Sequence, residues 1–144
     1  MIPAPLDRNL FFVSQVTQES IADLTKKIVL INKDDDELEK VYANNSLVYV
    51  RPPIKIHIDS YGGYVYQCLG LLSVMDKSKT PIHTIVTGAA MSCGFMMLIH
   101  GHRRFAMELS TGMYHQVSSG TWGKIKDMEE DIEETKRLQN ILMQ

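Results

Sequence analysis

Ile54-Lys55-Ile56-His57-Ile58-Asp59, followed by Ser60-Tyr61-Gly62-Gly63, is the stretch that most strongly indicates the fold. An isoleucine at every second position has the period of a β-strand with one apolar face. The two glycines end this strand, because glycine adopts turn conformations that other residues avoid. Apolar residues then recur at helical spacing, at Val65, Cys68, Leu69, Leu72 and Met75. The stretch therefore predicts a strand, a tight turn and an amphipathic helix.

Upstream of this stretch, the sequence predicts one more strand and one more helix. Residues 9–13 contain Leu10-Phe11-Phe12-Val13, a candidate strand. Thr17 is predicted to cap the helix that follows, because its hydroxyl can accept a hydrogen bond from a free backbone N–H. The apolar face of that helix is formed by Ile21, Leu24, Ile28 and Ile31. The charged residues 33–45 predict a surface loop that ends at Pro52-Pro53.

Downstream, the alternation of strand and helix continues to the last residue. Ile82-His83-Thr84-Ile85-Val86 predicts a strand that ends at Gly88, and residues 92–100 are apolar enough for a buried helix. Two further short strands are predicted over 104–107 and 112–115. One long amphipathic helix follows, marked by Ile125, Met128, Ile132, Thr135, Leu138 and Leu142.

The resulting order is β-α-β-α-β-α-β-β-α. Strands that alternate with helices predict an α/β fold of repeated β-α-β units with right-handed crossovers and a largely parallel sheet. A chain of 144 residues has the length of one domain, so residues 1–144 are expected to form a single domain.

The composition excludes several classes of function. The net charge of −2 gives no strong attraction to nucleic acid or to an anionic membrane surface. No apolar run approaches the roughly 20 residues that span a bilayer. Cys68 and Cys93 form neither a metal-ligand cluster nor a disulfide framework. We therefore expect a cytoplasmic protein without a bound metal or cofactor, and with no nucleic-acid or membrane partner.

Gly88-Ala89-Ala90-Met91-Ser92-Cys93-Gly94 places a serine where a strand meets a helix. A serine hydroxyl becomes a nucleophile when a base removes its proton, and histidine is the usual base. His115 follows in Met113-Tyr114-His115-Gln116, and the glycine pair Gly62-Gly63 can turn backbone N–H groups toward a developing oxyanion. Cys93 stands beside the serine, but only one of two adjacent side chains on a turn can face a cleft. The spacing favours Ser92 and predicts acyl transfer.

These three segments together resemble the proteolytic subunit of the ATP-dependent Clp protease. Ile58-Asp59-Ser60-Tyr61-Gly62-Gly63-Tyr64-Val65 is similar to the turn of that family, and residues 88–94 are similar to its serine elbow. Residues 113–116 resemble its histidine segment. The similarity runs from about Asn9 to the last residue. It implies a Clp protease/crotonase-like fold with a handle region at about 117–144 and a protruding handle helix.

The resemblance also implies a mechanism and an assembly. Ser92 would be the nucleophile and His115 the general base, with the backbone N–H groups of Gly63 and Cys93 forming the oxyanion hole. The strand after His115, at 117–123, would pair with an extended peptide substrate. Members of the family form stacked heptameric rings around a chamber, and an AAA+ unfoldase feeds them unfolded polypeptides. The protein would therefore be a homo-oligomeric serine endopeptidase.

Three departures from the family pattern bear on these expectations. The family's triad acid follows the handle helix, so no residue up to Gln144 receives that role, and the chain is expected to be C-terminally truncated. Asp59 stands where the family has Asn and is a weak candidate for a substitute acid. The segment before the first strand is short, and the 33–53 connection is long and acidic, which puts coupling to an ATPase in question.

Three alternatives stay open at this point. A non-catalytic Clp-like ring subunit fits the missing triad acid. A phage head-maturation protease of the same fold fits the short N-terminal segment. An acyl-CoA enzyme of the crotonase type would share the fold and the paired oxyanion donors, but it would not need Ser92 and His115 together.

Overall fold

The computed structural model describes residues 2–115 and 125–143, and its elements follow the predicted order. All five predicted strands and four predicted helices are present, with bounds that differ from the prediction at several ends. They are β1 Asn9–Phe12, α1 Gln18–Asn44, β2 Ile54–Ser60, α2 Val65–Lys77, β3 Ile82–Met91, α3 Cys93–Ile99, β4 Arg103–Ala106, β5 Thr111–Met113 and α4 Ile125–Leu142.

The sheet has the order β1-β2-β3-β4, and β5 pairs with the last residues of β3. Every pair of strands is parallel, as expected when helices connect successive strands. The α/β class and the parallel sheet predicted from the sequence are therefore confirmed. β3 lies at the centre, because it pairs with β2 on one side and with β4 and β5 on the other.

The apolar face of β2 forms the middle of the core. Ile54, Ile56 and Ile58 are fully buried, whereas Lys55 and Asp59 on the opposite face are exposed. Burial of one isoleucine side chain contributes about 1.5–3 kcal/mol to folding. Buried side chains of the first three helices complete this core, among them Leu24, Ile28, Cys68, Leu71, Met75 and Met97.

The predicted surface loop at 33–45 is wrong, because α1 continues to Asn44. Thr17 caps the helix as predicted, with its side chain accepting a hydrogen bond from the N–H of Ser20. Beyond Ile31 the buried face of the helix continues through Asp35 and Leu38. One position on the buried face is an aspartate within a run of charged residues, so apolar residues do not recur at helical spacing there. The sequence pattern therefore missed this part of the helix.

What keeps Asp35 buried is a network of polar side chains from distant segments. Arg8 pairs with its carboxylate, and the hydroxyls of Tyr49 and Thr80 donate to it at 2.7 and 2.6 Å. Burial opposes ionisation, but these hydrogen bonds outweigh it and lower the pKa of Asp35 to about 2. Burial and the hydrogen bond to Asp35 raise the pKa of Tyr49 to about 12. The network ties α1 to the segments that precede β1, β2 and β3.

The predicted end of the third strand at Gly88 is also wrong. β3 continues to Met91, and its residues 89–91 pair with Thr111–Met113 of β5. Glycine marked a strand end in the sequence, but here it lies inside the strand because the Asp59 carboxyl group occupies the space of a side chain. The longer strand delivers the chain directly to Ser92.

The chain divides into two compact units, Met1–Met113 and Tyr114–Gln144. Within the second unit, α4 carries the i,i+3 ion pairs Lys136–Glu133 and Arg137–Glu134. The single domain predicted for residues 1–144 stays a prediction, and the predicted substrate strand at 117–123 lies outside the described residues. Among the helices described, none has both the length and the apolar character needed to cross a membrane.

Candidate active site

Ser92 occupies a sharp turn between β3 and α3. Its φ of +54° and ψ of −120° lie outside the conformations that residues with a side chain ordinarily adopt. Such backbone strain persists only where the surrounding structure enforces it, and it is concentrated at functional sites. The residue is partly exposed, whereas Cys93 and Gly94 directly after it are buried. The turn therefore presents the serine rather than its neighbours.

Hydrogen bonds on both sides fix this turn. The N–H of Ser92 donates to the carbonyl of Met113 at 2.8 Å, and the carbonyl of Ser92 accepts from the N–H of Met96 at 3.1 Å. The first bond anchors the serine to β5, and the second begins α3. Gly94 lies against Ser60, since a Cβ on this glycine would come within 2.8 Å of the Ser60 carbonyl oxygen. The glycine at this position thus allows a close approach of α3 to β2.

The diglycine turn lies directly beside Ser92. Gly62 has a φ of +99°, and a Cβ added to it would lie 2.8 Å from the Cβ of Ser92 and 2.9 Å from the carbonyl oxygen of Met91. Only glycine meets both the conformational and the spatial demand. The structure therefore brings together two of the segments that the sequence singled out, the turn at 62–63 and the elbow at Ser92.

The pairing of Gly63 with Val16 determines where the Gly63 N–H points. The N–H of Val16 donates to the carbonyl of Gly62 at 2.8 Å, and the carbonyl of Val16 accepts from the N–H of Tyr64 at 3.0 Å. In a parallel bridge of this kind the N–H of the central residue, here Gly63, is directed away from its partner. This direction agrees with the predicted oxyanion role of Gly63, which stays a prediction.

Cys93 is the first residue of α3, so its N–H lies at the N-terminal end of that helix, and its oxyanion role stays a prediction. The amide nitrogen of Cys93 lies 3.1 Å from the Cβ position built on Gly62. Its side chain points the other way, since the residue is 2% exposed and its Sγ lies 3.7 Å from the carbonyl oxygen of Gly63. The thiol thus packs beneath the glycine turn. This geometry favours Ser92 over Cys93 as the nucleophile.

Cys68 lies in the core, as the helical spacing predicted, and it is close to Cys93. Its Sγ is 3.8 Å from the carbonyl oxygen of Cys93, and the residue is 1% exposed. A hydrogen bond with Cys93, together with burial, raises the pKa of the Cys68 thiol. A thiol held in its protonated form is a poor nucleophile, so Cys68 has a packing role.

His115 follows β5 by two residues and is exposed. It belongs to the second compact unit, whereas Ser92 belongs to the first, and its role as the base stays a prediction. Met113, the residue that accepts the hydrogen bond of the Ser92 N–H, precedes it by two positions in the sequence.

Asp59, the candidate substitute acid, has a partner that the sequence did not indicate. Its Oδ1 accepts a hydrogen bond from the N–H of Ala89 at 2.9 Å. The residue lies on the exposed face of β2, one position before the residues of the turn. Its assignment as a triad acid stays a prediction.

Across residues 2–115 and 125–143, no three His, Cys, Asp or Glu side chains are grouped as metal ligands would be. Two of the histidines have other partners. His100 pairs with Asp76 at 2.5 Å, and the ring of His57 stacks on Phe11 with 4.6 Å between centroids. That the protein binds no cofactor remains an expectation.

The chain is similar to known proteins over nearly its whole length. The model of the Clp protease family matches residues 5–144. The ATP-dependent Clp protease proteolytic subunit of Deinococcus radiodurans is 29% identical over 139 residues, which cover 95% of this chain and 61% of that protein. The ATP-dependent Clp protease proteolytic subunit 1 of Salinibacter ruber is 30% identical over 143 residues, covering 95% of this chain and 56% of that protein. The chain thus spans about 60% of the length of these relatives.

Proposed function

The chain belongs to the Clp protease family, and from this premise we propose that it is a serine endopeptidase with Ser92 as nucleophile and His115 as general base. One observation supports the proposal most directly. Ser92 has a strained backbone at a strand-to-helix elbow, and the turn that holds the predicted oxyanion donor Gly63 is packed against it. A structural serine at a helix start would not need this conformation.

In the proposed reaction, the Ser92 hydroxyl attacks the carbonyl carbon of a peptide bond while His115 accepts its proton. The carbonyl oxygen becomes an oxyanion, which the N–H groups of Gly63 and Cys93 stabilise. Donors of this kind are each worth about 100- to 1000-fold in rate. His115 then protonates the leaving amine. Water, activated by the same imidazole, hydrolyses the acyl-enzyme and restores Ser92.

The proposed substrates are unfolded polypeptides, which the enzyme would hydrolyse inside a chamber formed by stacked heptameric rings of this chain. Both relatives are named as proteolytic subunits of an ATP-dependent protease, which supports an AAA+ unfoldase as a partner. The protein is proposed to act in the cytoplasm.

Hydrolysis of a fluorogenic peptide by the purified protein tests the proposal. Replacement Ser92→Ala is expected to lower kcat/KM by at least about 1000-fold, and His115→Ala by a similar factor, because the two residues act as a unit. The matched control is Cys93→Ser, which keeps the backbone N–H at 93 and is expected to retain most of the activity. Circular dichroism checks that each variant is folded.

Three outcomes would argue against the proposal. Cleavage that survives Ser92→Ala removes the serine from the reaction, and cleavage that survives His115→Ala removes the histidine. An assembled, folded wild-type protein without any cleavage would indicate a non-catalytic ring subunit instead.

A further inference from the structure

The pairing of β2 with β3 shifts just before Ser92. Ile54 to Ile58 pair in step with Ile82 to Val86, but the next pair joins Ser60 to Ala90. Over this interval β2 advances by two residues and β3 by four. Residues 87–89 of β3, here named the β3 bulge, therefore contain two residues more than the partner strand can pair. Bulges of this kind bend a strand and change the direction of the side chains that follow.

The side chain of Asp59 holds the β3 bulge in place. Its Oδ1 accepts the N–H of Ala89 at 2.9 Å, at a point where the shifted pairing gives Ala89 no partner residue in β2. The carboxyl group also fills the space beside Gly88, where a Cβ would lie 2.6 Å from Oδ1. On the same bulge, the Thr87 hydroxyl donates to the carbonyl of Ile58 at 3.3 Å. A buried backbone donor without a partner costs about 1–3 kcal/mol.

The β3 bulge determines how the chain reaches the elbow. From the last residue of the bulge onward, residues 89–91 pair with β5, and the N–H of Ser92 donates to the carbonyl of the last residue of that strand, Met113. If β3 paired with β2 without the shift, Ala90 would lie two positions, about 7 Å, further along β2 than Ser60. The position of Ser92 beside the turn at 62–63 thus depends on the bulge that the contact between Asp59 and Ala89 holds.

We propose that Asp59 is a positioning residue for Ser92: by accepting the Ala89 N–H it fixes the β3 bulge and so aims the nucleophile. The inference rests on the proposed function of Ser92. In this role Asp59 acts through a hydrogen bond to the Ala89 backbone and not as a triad acid. The acceptor oxygen matters for this task and the negative charge does not, so asparagine would substitute for aspartate.

The test measures the rate constant with which a fluorophosphonate probe labels Ser92, together with kcat and KM for a fluorogenic peptide. Asp59→Ala removes the acceptor, and we expect labelling and kcat to fall at least tenfold with KM little changed. Asp59→Asn keeps an oxygen at the same place, and both values should stay within about threefold of the wild type. The matched control is Lys55→Ala, an exposed position on the same face of β2.

Gly88→Ala provides a second variant that leaves Asp59 unchanged. Its methyl group would collide with the carboxyl group and displace it from Ala89, so labelling should again fall at least tenfold. This variant decides the question if Asp59→Ala does not fold.

The outcomes separate the inference from the proposed function. Wild-type protein that is not labelled at Ser92 contradicts the proposed function itself. If the wild-type protein is labelled at Ser92 and folded Asp59→Ala is labelled at the same rate, the positioning role alone is overturned. If Asp59→Ala does not fold, an unchanged labelling rate in Gly88→Ala overturns it. An equal loss of kcat in Asp59→Asn and Asp59→Ala would show that the charge is required, which also overturns it.

Discussion

At the scale of single residues, replacement of a glycine at the candidate site and of a glycine away from it should have opposite effects. Gly62 has a positive φ and touches Ser92, whereas Gly70 lies in α2 with nothing within 4 Å of its Cβ position. Both would receive the same methyl group on mutation to alanine. The pair therefore separates a local requirement for glycine from a general effect of the substitution.

We expect Gly62→Ala to lower the rate of fluorophosphonate labelling at Ser92 by tenfold or more, because the methyl group displaces the elbow. Gly70→Ala should leave that rate unchanged and raise the free energy of unfolding by about 1 kcal/mol, the difference in helix propensity between the two residues. Labelling rates and urea denaturation provide the two measurements. A Gly62→Ala protein with the wild-type labelling rate would show that the turn does not constrain Ser92.

The buried carboxylate of Asp35 should make the stability of the protein depend on pH. Its pKa is lowered to about 2 in the folded protein, from an ordinary value of 3.8. A lowered pKa stabilises the fold above pH 4, and this contribution, about 2 kcal/mol, is lost as the pH falls from 4 through 2. At neutral pH, Asp35→Asn should cost about 3 kcal/mol, because Arg8 loses its buried charged partner.

The difference in unfolding free energy between the wild type and Asp35→Asn should therefore narrow by about 2 kcal/mol between pH 4 and pH 2. Chemical denaturation over this pH range measures it. Asp23→Asn on the exposed side of α1 is the control, and it should change stability by less than about 0.5 kcal/mol. A constant difference for Asp35→Asn across the range would contradict the lowered pKa.

At the scale of elements, the length of α1 and that of β3 both differ from the sequence prediction, and α1 differs by more residues. Glu37 lies in the part that was predicted to be a loop, and its side chain is exposed. Glu37→Pro should lower the free energy of unfolding by about 3 kcal/mol or more, because proline breaks a helix interior. Glu37→Ala should be nearly neutral. Denaturant unfolding measures the stability of both variants. Equal stability would contradict the helix at this position and favour the predicted loop.

How far the sequence predicts each element depends on the kind of interaction that stabilises it. The alternation of Ile54, Ile56 and Ile58 predicted β2 because burial there is apolar and local in sequence. The second half of α1 escaped prediction because Asp35 is buried by Arg8 and Thr80, partners 27 and 45 positions away. Contacts between residues so far apart in the sequence produce no periodic pattern in the local sequence.

The same distinction applies to the candidate site. The sequence singled out Ser92 and the turn at 62–63 from local patterns, and the structure places these two together. The contact between Asp59 and Ala89 was missed because it depends on the register of β2 against β3. Register is a property of two strands, and neither strand indicates it alone.

At the scale of the whole molecule, we expect an oligomer whose subunits are joined through α4. Ile132 is an apolar residue exposed on α4. If α4 joins subunits as the family suggests, Ile132→Asp should lower the oligomer mass measured by light scattering at physiological salt. The control is Glu130→Ala, an exposed position on the opposite face of α4, which should leave the mass unchanged. A wild-type protein that is strictly monomeric would contradict this role of α4.

Reaction of the native protein with a fluorophosphonate probe, followed by peptide mapping with tandem mass spectrometry, identifies the nucleophile. We expect one adduct on Ser92, lost in Ser92→Ala and kept in Cys93→Ser. A folded protein that carries no adduct at Ser92, or carries it on Cys93 instead, would contradict the claim that this strained serine is the nucleophile of a peptidase.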